Sequence, residues 1–110
     1  MMDEQEFRKK CDAAMDSLRK RLLELGDELG FEVEGPGEKL EILFEEPEEV
    51  RFVISPNIAA RQIWISALST SFKLAWSDAV STFQMEKTGE TLPAVMSRIL
   101  STQLGSPVKV

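Results

Sequence analysis

The side chains with the most chemistry to offer are carboxylates. Between Glu24 and Glu49 the sequence places eleven acids, Glu24, Asp27, Glu28, Glu32, Glu34, Glu38, Glu41, Glu45, Glu46, Glu48 and Glu49, against one base, Lys39. That segment carries −10, and because the whole chain carries −6, the remainder is +4. Clustered carboxylates offer hard oxygen donors to hard cations and an attractive field to basic proteins, and they repel nucleic acid and anionic membrane. A charge run is also the ordinary form of a solvated face, and the residues alone leave both readings open. What is missing narrows the field further. There is no His and a single Cys, Cys11, so an internal disulfide, a Cys/His metal cluster, a Ser/His/Asp triad and a Cys/His dyad are all excluded. Nothing supplies a convincing nucleophile or base for a pocket, and the chain reads as a non-enzyme.

The second informative stretch is Arg61-Gln-Ile-Trp-Ile-Ser66. With a strand period of two, Ile63 and Ile65 share one face and Gln62, Trp64 and Ser66 take the other. An Ile pair in the core therefore sets Trp64 on the outside. Either the ring lies flat on its strand neighbours under some cover, or it is a docking anchor, a role in which Trp is favoured.

These residues need elements to position them. Phe7, Cys11, Met15, Leu18, Leu22, Leu25 and Leu29 recur every three or four positions, which predicts a first helix of about six turns, capped near Asp3 and ended by Gly26 or Gly30. Cys11 lies in that stripe and reads as a small buried apolar residue. The period then changes to two. Strands are predicted at 31–34, 40–45, 50–55, 61–66, 72–76 and 81–85, with turns at Gly35-Pro36-Gly37 and around Pro47 and a link over Pro56–Ala60. Thr91 caps a second helix, with Pro93 in its first turn, the stripe Leu92, Val95, Met96, Ile99, Leu100 and Leu104, and Gly105 at its end. Short connections make the sheet antiparallel. The expected fold is α+β: a two-layer α/β sandwich in one domain over 1–110, with N- and C-terminal helices on one face of a five- to six-stranded antiparallel sheet. On the outer face, Leu43, Val53 and Trp64 are expected to form an apolar island bordered by charge. No run of about 18 apolar residues is present and the first residues are acidic, so the expectation is a soluble, unexported, cytoplasmic protein without membrane or nucleic-acid partners.

The order of these elements and three local motifs resemble the frataxin family, its bacterial members in particular. Glu6-Phe7 opens the first helix as family members often do. Gln62-Ile63-Trp64-Ile65-Ser66 resembles the family's Gln-(Ile/Val)-Trp-Leu-Ser strand, and Thr88-Gly89-Glu90-Thr91 its Ser-Gly-Glu-Thr turn, with Phe83 where the family usually has Trp. The likeness runs from Glu6 to Gly105. It implies a small, non-enzymatic iron-binding protein of iron–sulfur cluster assembly, a monomer that docks on the cysteine desulfurase and scaffold complex. The implied iron site is an acidic ridge that binds weakly at the surface, mapped here to Glu24, Asp27, Glu28, Glu32 and Glu34, with Glu41 at its margin. The implied contact surface is the sheet face with Gln62 and Trp64, beside Leu43 and Val53, and Lys73 is a candidate for the family's basic position. Arg19-Lys20-Arg21 stands where members often carry acids, which shortens the ridge. A small acidic interaction module such as a secretion chaperone is the alternative, distinguished by a stable homodimer and indifference to iron.

Overall fold

The computed structural model describes residues 2–35, 38–46 and 48–110. Pro36, Gly37 and Pro47, which carry two of the expected turns, lie outside them. Helix α1 spans Glu4–Leu29 and is followed by β1 (Glu32–Glu34), β2 (Leu40–Phe44), β3 (Val50–Asn57), β4 (Gln62–Ala67), β5 (Thr70–Ser77), β6 (Thr82–Gln84) and α2 (Leu92–Leu104). The six strands form one antiparallel sheet in sequential order. Both helices cover one face.

The helix ends follow from backbone groups that need partners. Asp3 accepts a hydrogen bond from the Glu6 N–H at 2.8 Å, and Thr91 caps α2 through the Ala94 N–H. Gly30 and Gly105 close the two helices in the left-handed conformation, at φ 84° and 71°, where a Cβ would be strained. Of the two glycines expected to end α1, it is Gly30, whose N–H bonds the Gly26 carbonyl. At 26 residues the helix is about a turn longer than its stripe suggested.

The core is largely the predicted one, but Leu29 falls outside it, Leu104 is only partly buried, and Ala67 and Val108 join it. Leu22, Ile63, Val95 and Ile99 have no exposed surface, and Leu18 and Ile65 almost none. Leu29, the last member of the predicted stripe, is 39% exposed. The chain reverses at Gly30, and Phe31 turns in to fill the layer, its ring 5.5 Å from Phe44. A second correction concerns Pro56, expected in a link: β3 runs on to Asn57, with Pro56 opposite Ile63. By then β2 has ended, its last pair being Leu40 with Ile54, so β3 is an edge there and tolerates a missing N–H. The β4–β5 hairpin turns on Leu68 and Ser69, both at positive φ (54° and 59°), the backbone of a type I′ turn.

Candidate functional site

Strand register decides which acids share a surface. Glu32 lies opposite Leu43, Glu34 opposite Glu41, and Glu41 opposite Val53; directly paired residues point to the same side, so all of these are on the outer face. Glu24, Asp27 and Glu28 belong to the last turns of α1, in the other layer. The six candidate ligands are thus divided around the β1 edge of the sandwich. Asp27, Glu32 and Glu34 meet along a shallow cleft of about 300 Å³ floored by Gly26, Phe31 and Val33. Glu24 is engaged by Arg21 at 3.3 Å, and Glu41 by Arg51 at 3.4 Å. The exposed Glu28 makes no ion pair among the described residues.

Among the described residues no three Asp, Glu or Cys side chains converge as a metal cage. The donor set fits a hard cation in its chemistry, since every candidate is a carboxylate. In geometry it is an open edge, where water would complete the coordination shell. A second cleft, of about 330 Å³, shares Glu32 with the first and adds Glu45 and Glu49, with Arg51 as a countercharge, around Leu43 and Val50. The charge run marked Glu45 and Glu49, but only the loop between β2 and β3 brings them to Glu32.

Trp64 lies on the outer face, as the period of two requires, and is 37% exposed. Its indole N–H donates to Gln62 Oε1 at 2.7 Å. The two residues are i and i+2 on one strand face, so Gln62 orients the ring, a physical reason for the Gln-x-Trp pattern. Directly across on β5, Lys73 sets its Nζ 4.7 Å from the ring centroid, and across on β3 lies Ser55. The ring is thus clamped by neighbours without being covered. The expected apolar island is looser than foreseen. Leu43, Val53 and Trp64 fall on a diagonal across three strands, each with polar residues directly opposite: Glu32 and Arg51, Glu41 and Ser66, Ser55 and Lys73. Leu43 and Val53 are half-buried, which leaves Trp64 as the exposed apolar member.

The turn before α2 also has a physical explanation. Gly89 adopts φ 75° and donates to the Met85 carbonyl, Met85 N–H donates to the Glu90 carbonyl, and the Thr88 hydroxyl accepts from the Glu90 N–H. The Glu90 side chain takes two hydrogen bonds from Arg98, at 2.7 and 2.9 Å, which together with one from Thr88 hold its carboxyl below the usual glutamate range. Arg98 in turn lies over Phe72. The motif therefore ties the turn to α2. Cys11 is buried, and that burial, aided by Asp12 and Glu38, pushes its thiol up to about 11, so it is no nucleophile at neutral pH.

A family model, the frataxin-like domain, matches residues 1–106. The chain belongs to the frataxin-like family. Among solved structures it is similar to a frataxin from Psychromonas ingrahamii, described as a model for stability modulation within the CyaY protein family, with a TM-score of 0.75, 18% identity, and coverage of 98% of this chain and 97% of that one. At that identity the likeness speaks for the fold. No curated protein sequence matches the chain. In this frataxin-like protein, then, the helix, acidic hairpin, Gln-x-Trp strand and Gly-Glu-Thr turn occupy their positions in one sandwich, and no helix among the described residues is long and apolar enough to cross a membrane.

Proposed function

We propose that this frataxin-like protein handles iron for iron–sulfur cluster assembly without being an enzyme, binding the metal loosely at its acidic edge and docking through its sheet face on a cysteine desulfurase–scaffold complex. The observation that carries the reading is the cleft shared by Asp27, Glu32 and Glu34, where candidate ligands from both layers line one surface, in a chain whose family is known. Exposed carboxylates of like charge repel one another, and a cation between them relieves that repulsion. Because they are wet and uncaged, the metal exchanges readily, which suits a protein that passes iron on. Glu24 and Glu28 extend the field along α1, and Glu41, neutralised by Arg51, contributes least.

The docking half of the reading rests on Trp64. Its ring is held in one orientation by Gln62 and Lys73, so little conformational freedom is lost when a partner covers it. Leu43 and Val53 continue the contact along the diagonal. The family leaves the secretion-chaperone alternative without support, and the protein is expected to act as a monomer in a cytoplasmic assembly.

Calorimetric titration of the desulfurase–scaffold complex with wild type and Trp64→Ala tests the proposal. A central aromatic anchor contributes about 2 kcal/mol or more, so the variant should bind at least tenfold more weakly. It should lose only about 1–2 kcal/mol of stability, below the about 3–5 kcal/mol of a core aromatic, because no sealed cavity is left behind. Unchanged affinity, or a core-sized loss of stability, would remove Trp64 from the contact surface.

A further inference from the structure

Away from the acidic edge, the other flank of α1 borders a groove of opposite character. Two adjoining clefts, of about 250 and 470 Å³, share Ala14, Ser17 and Thr82 and run between α1 and the β6–α2 side of the fold. Lys9 and Lys10 stand at one end and Arg21 at the other, with Trp76 beside the lysines and Leu92 and Pro93 beside the arginine. No Asp or Glu side chain lines either cleft, in a chain with 19 acids and 13 bases, and at the arginine end Val110 borders the cleft while Arg21 donates to the Lys109 carbonyl. Acids do stand at its margins: Glu24 touches Arg21, and Asp78 accepts the Trp76 indole N–H at 2.9 Å. Lys10 lies over the Trp76 ring, its Nζ 4.4 Å from the centroid, and among the described residues neither Lys9 nor Lys10 is in an ion pair.

We propose that this groove is a docking site for a short, extended, acidic segment of a partner protein. Charge complementarity selects the sign of the occupant. The dimensions select its form. Eleven helical steps take the chain from Lys10 to Arg21, about 16 Å at 1.5 Å per residue, and an extended chain covers that distance in about five residues. Between the cationic ends the floor is Ala13, Ala14 and Ser17, small enough for a backbone to approach, with hydroxyls of Ser17, Ser81 and Thr82 at hand for its polar groups. Acidic residues at both ends of the segment and an apolar one against Leu92 would match all three features. A nucleic acid or anionic membrane carries the same sign of charge but spreads it far beyond the groove, into the repulsion of the −10 segment. The site owes nothing to iron, so its test stands apart from that of the acidic edge.

The experiment is an amide-shift titration of the full chain with a capped hexapeptide, Glu-Glu-Leu-Ala-Glu-Glu, and with its glutamine counterpart. The acidic peptide is expected to give saturable shifts at Ala13, Ala14, Ser17 and Thr82. Its affinity should fall at least tenfold in Lys9→Gln/Lys10→Gln, and again in Arg21→Gln, with melting curves confirming that both variants fold. Arg21 also donates to the Lys109 carbonyl, so the lysine pair is the cleaner variant. The proposal is overturned if no saturable shift appears up to millimolar peptide, if the glutamine peptide binds equally well, or if the lysine variant binds as wild type does. It is equally overturned if the groove residues shift with protein concentration alone, which would make a second copy the occupant.

Discussion

Replacing Glu90 with Gln separates the charge of the turn motif from its shape. In the folded chain the Glu90 carboxylate accepts from Arg98 Nε at 2.7 Å and Nη2 at 2.9 Å, a two-point contact, with side chains 25% and 47% exposed. A buried charge-assisted hydrogen bond contributes about 1.5–3 kcal/mol; the exposure of Arg98 screens this pair well below that, toward the upper end of the range for surface pairs. Gln keeps one neutral hydrogen bond, so the expected loss is about 1 kcal/mol at pH 7, or about 4–8 °C in melting temperature for a domain of this size. The pH dependence has a definite sign. Arg98 first, and Thr88 after it, lower the folded-state pKa of Glu90 from the ordinary 4.5, so the contribution is complete above that value and is lost as pH falls through the lower folded value. Urea unfolding of wild type and Glu90→Gln should therefore differ at pH 7 and converge in strongly acidic buffer. A difference below about 0.3 kcal/mol at pH 7, or one that persists unchanged at pH 3, would refute the argument. A double-mutant cycle with Arg98→Gln should show the two losses to be largely the same loss.

The other expectations concern the packing between layers. Leu22→Ala empties a site with no exposed surface and should cost about 2–5 kcal/mol by urea unfolding; a cost under half a kcal/mol would deny that the α1 stripe faces a core. Gly26→Ala should destabilise α1 even though Ala is the better helix former by about 1 kcal/mol, because a Cβ there would sit 2.7 Å from the Phe31 carbonyl oxygen; a rise in melting temperature would show that Phe31 shifts without cost.

Much of this was legible in the sequence because local rules set it. Asp3 and Thr91 announced the helix starts by their capping chemistry, and the period of two placed Trp64 outside once Ile63 and Ile65 were given to the core. What was not legible depends on where elements meet. The helical period of α1 includes Leu29 but cannot say that the chain reverses at Gly30 and that Phe31 takes the inner position. Glu41 reads as one more acid until the register sets Arg51 within 3.4 Å of it. Lys73 acquires its relation to Trp64 in the same way, from the pairing of β4 with β5. The candidate ligands shared one run of sequence, yet they divide between two layers, and only around the β1 edge do Asp27, Glu32 and Glu34 come together.

That edge is also where the central claim is most open to test. Ferrous iron titrated anaerobically into the uniformly ¹⁵N-labelled protein should shift or broaden the amides of Glu24, Asp27, Glu28, Glu32 and Glu34 selectively, with weak, saturable binding. Replacing those five acids by their amides should abolish the effect while leaving the fold intact or somewhat more stable, since their mutual repulsion is removed. Iron-induced changes centred elsewhere, or unaltered in the five-amide variant, would contradict the account.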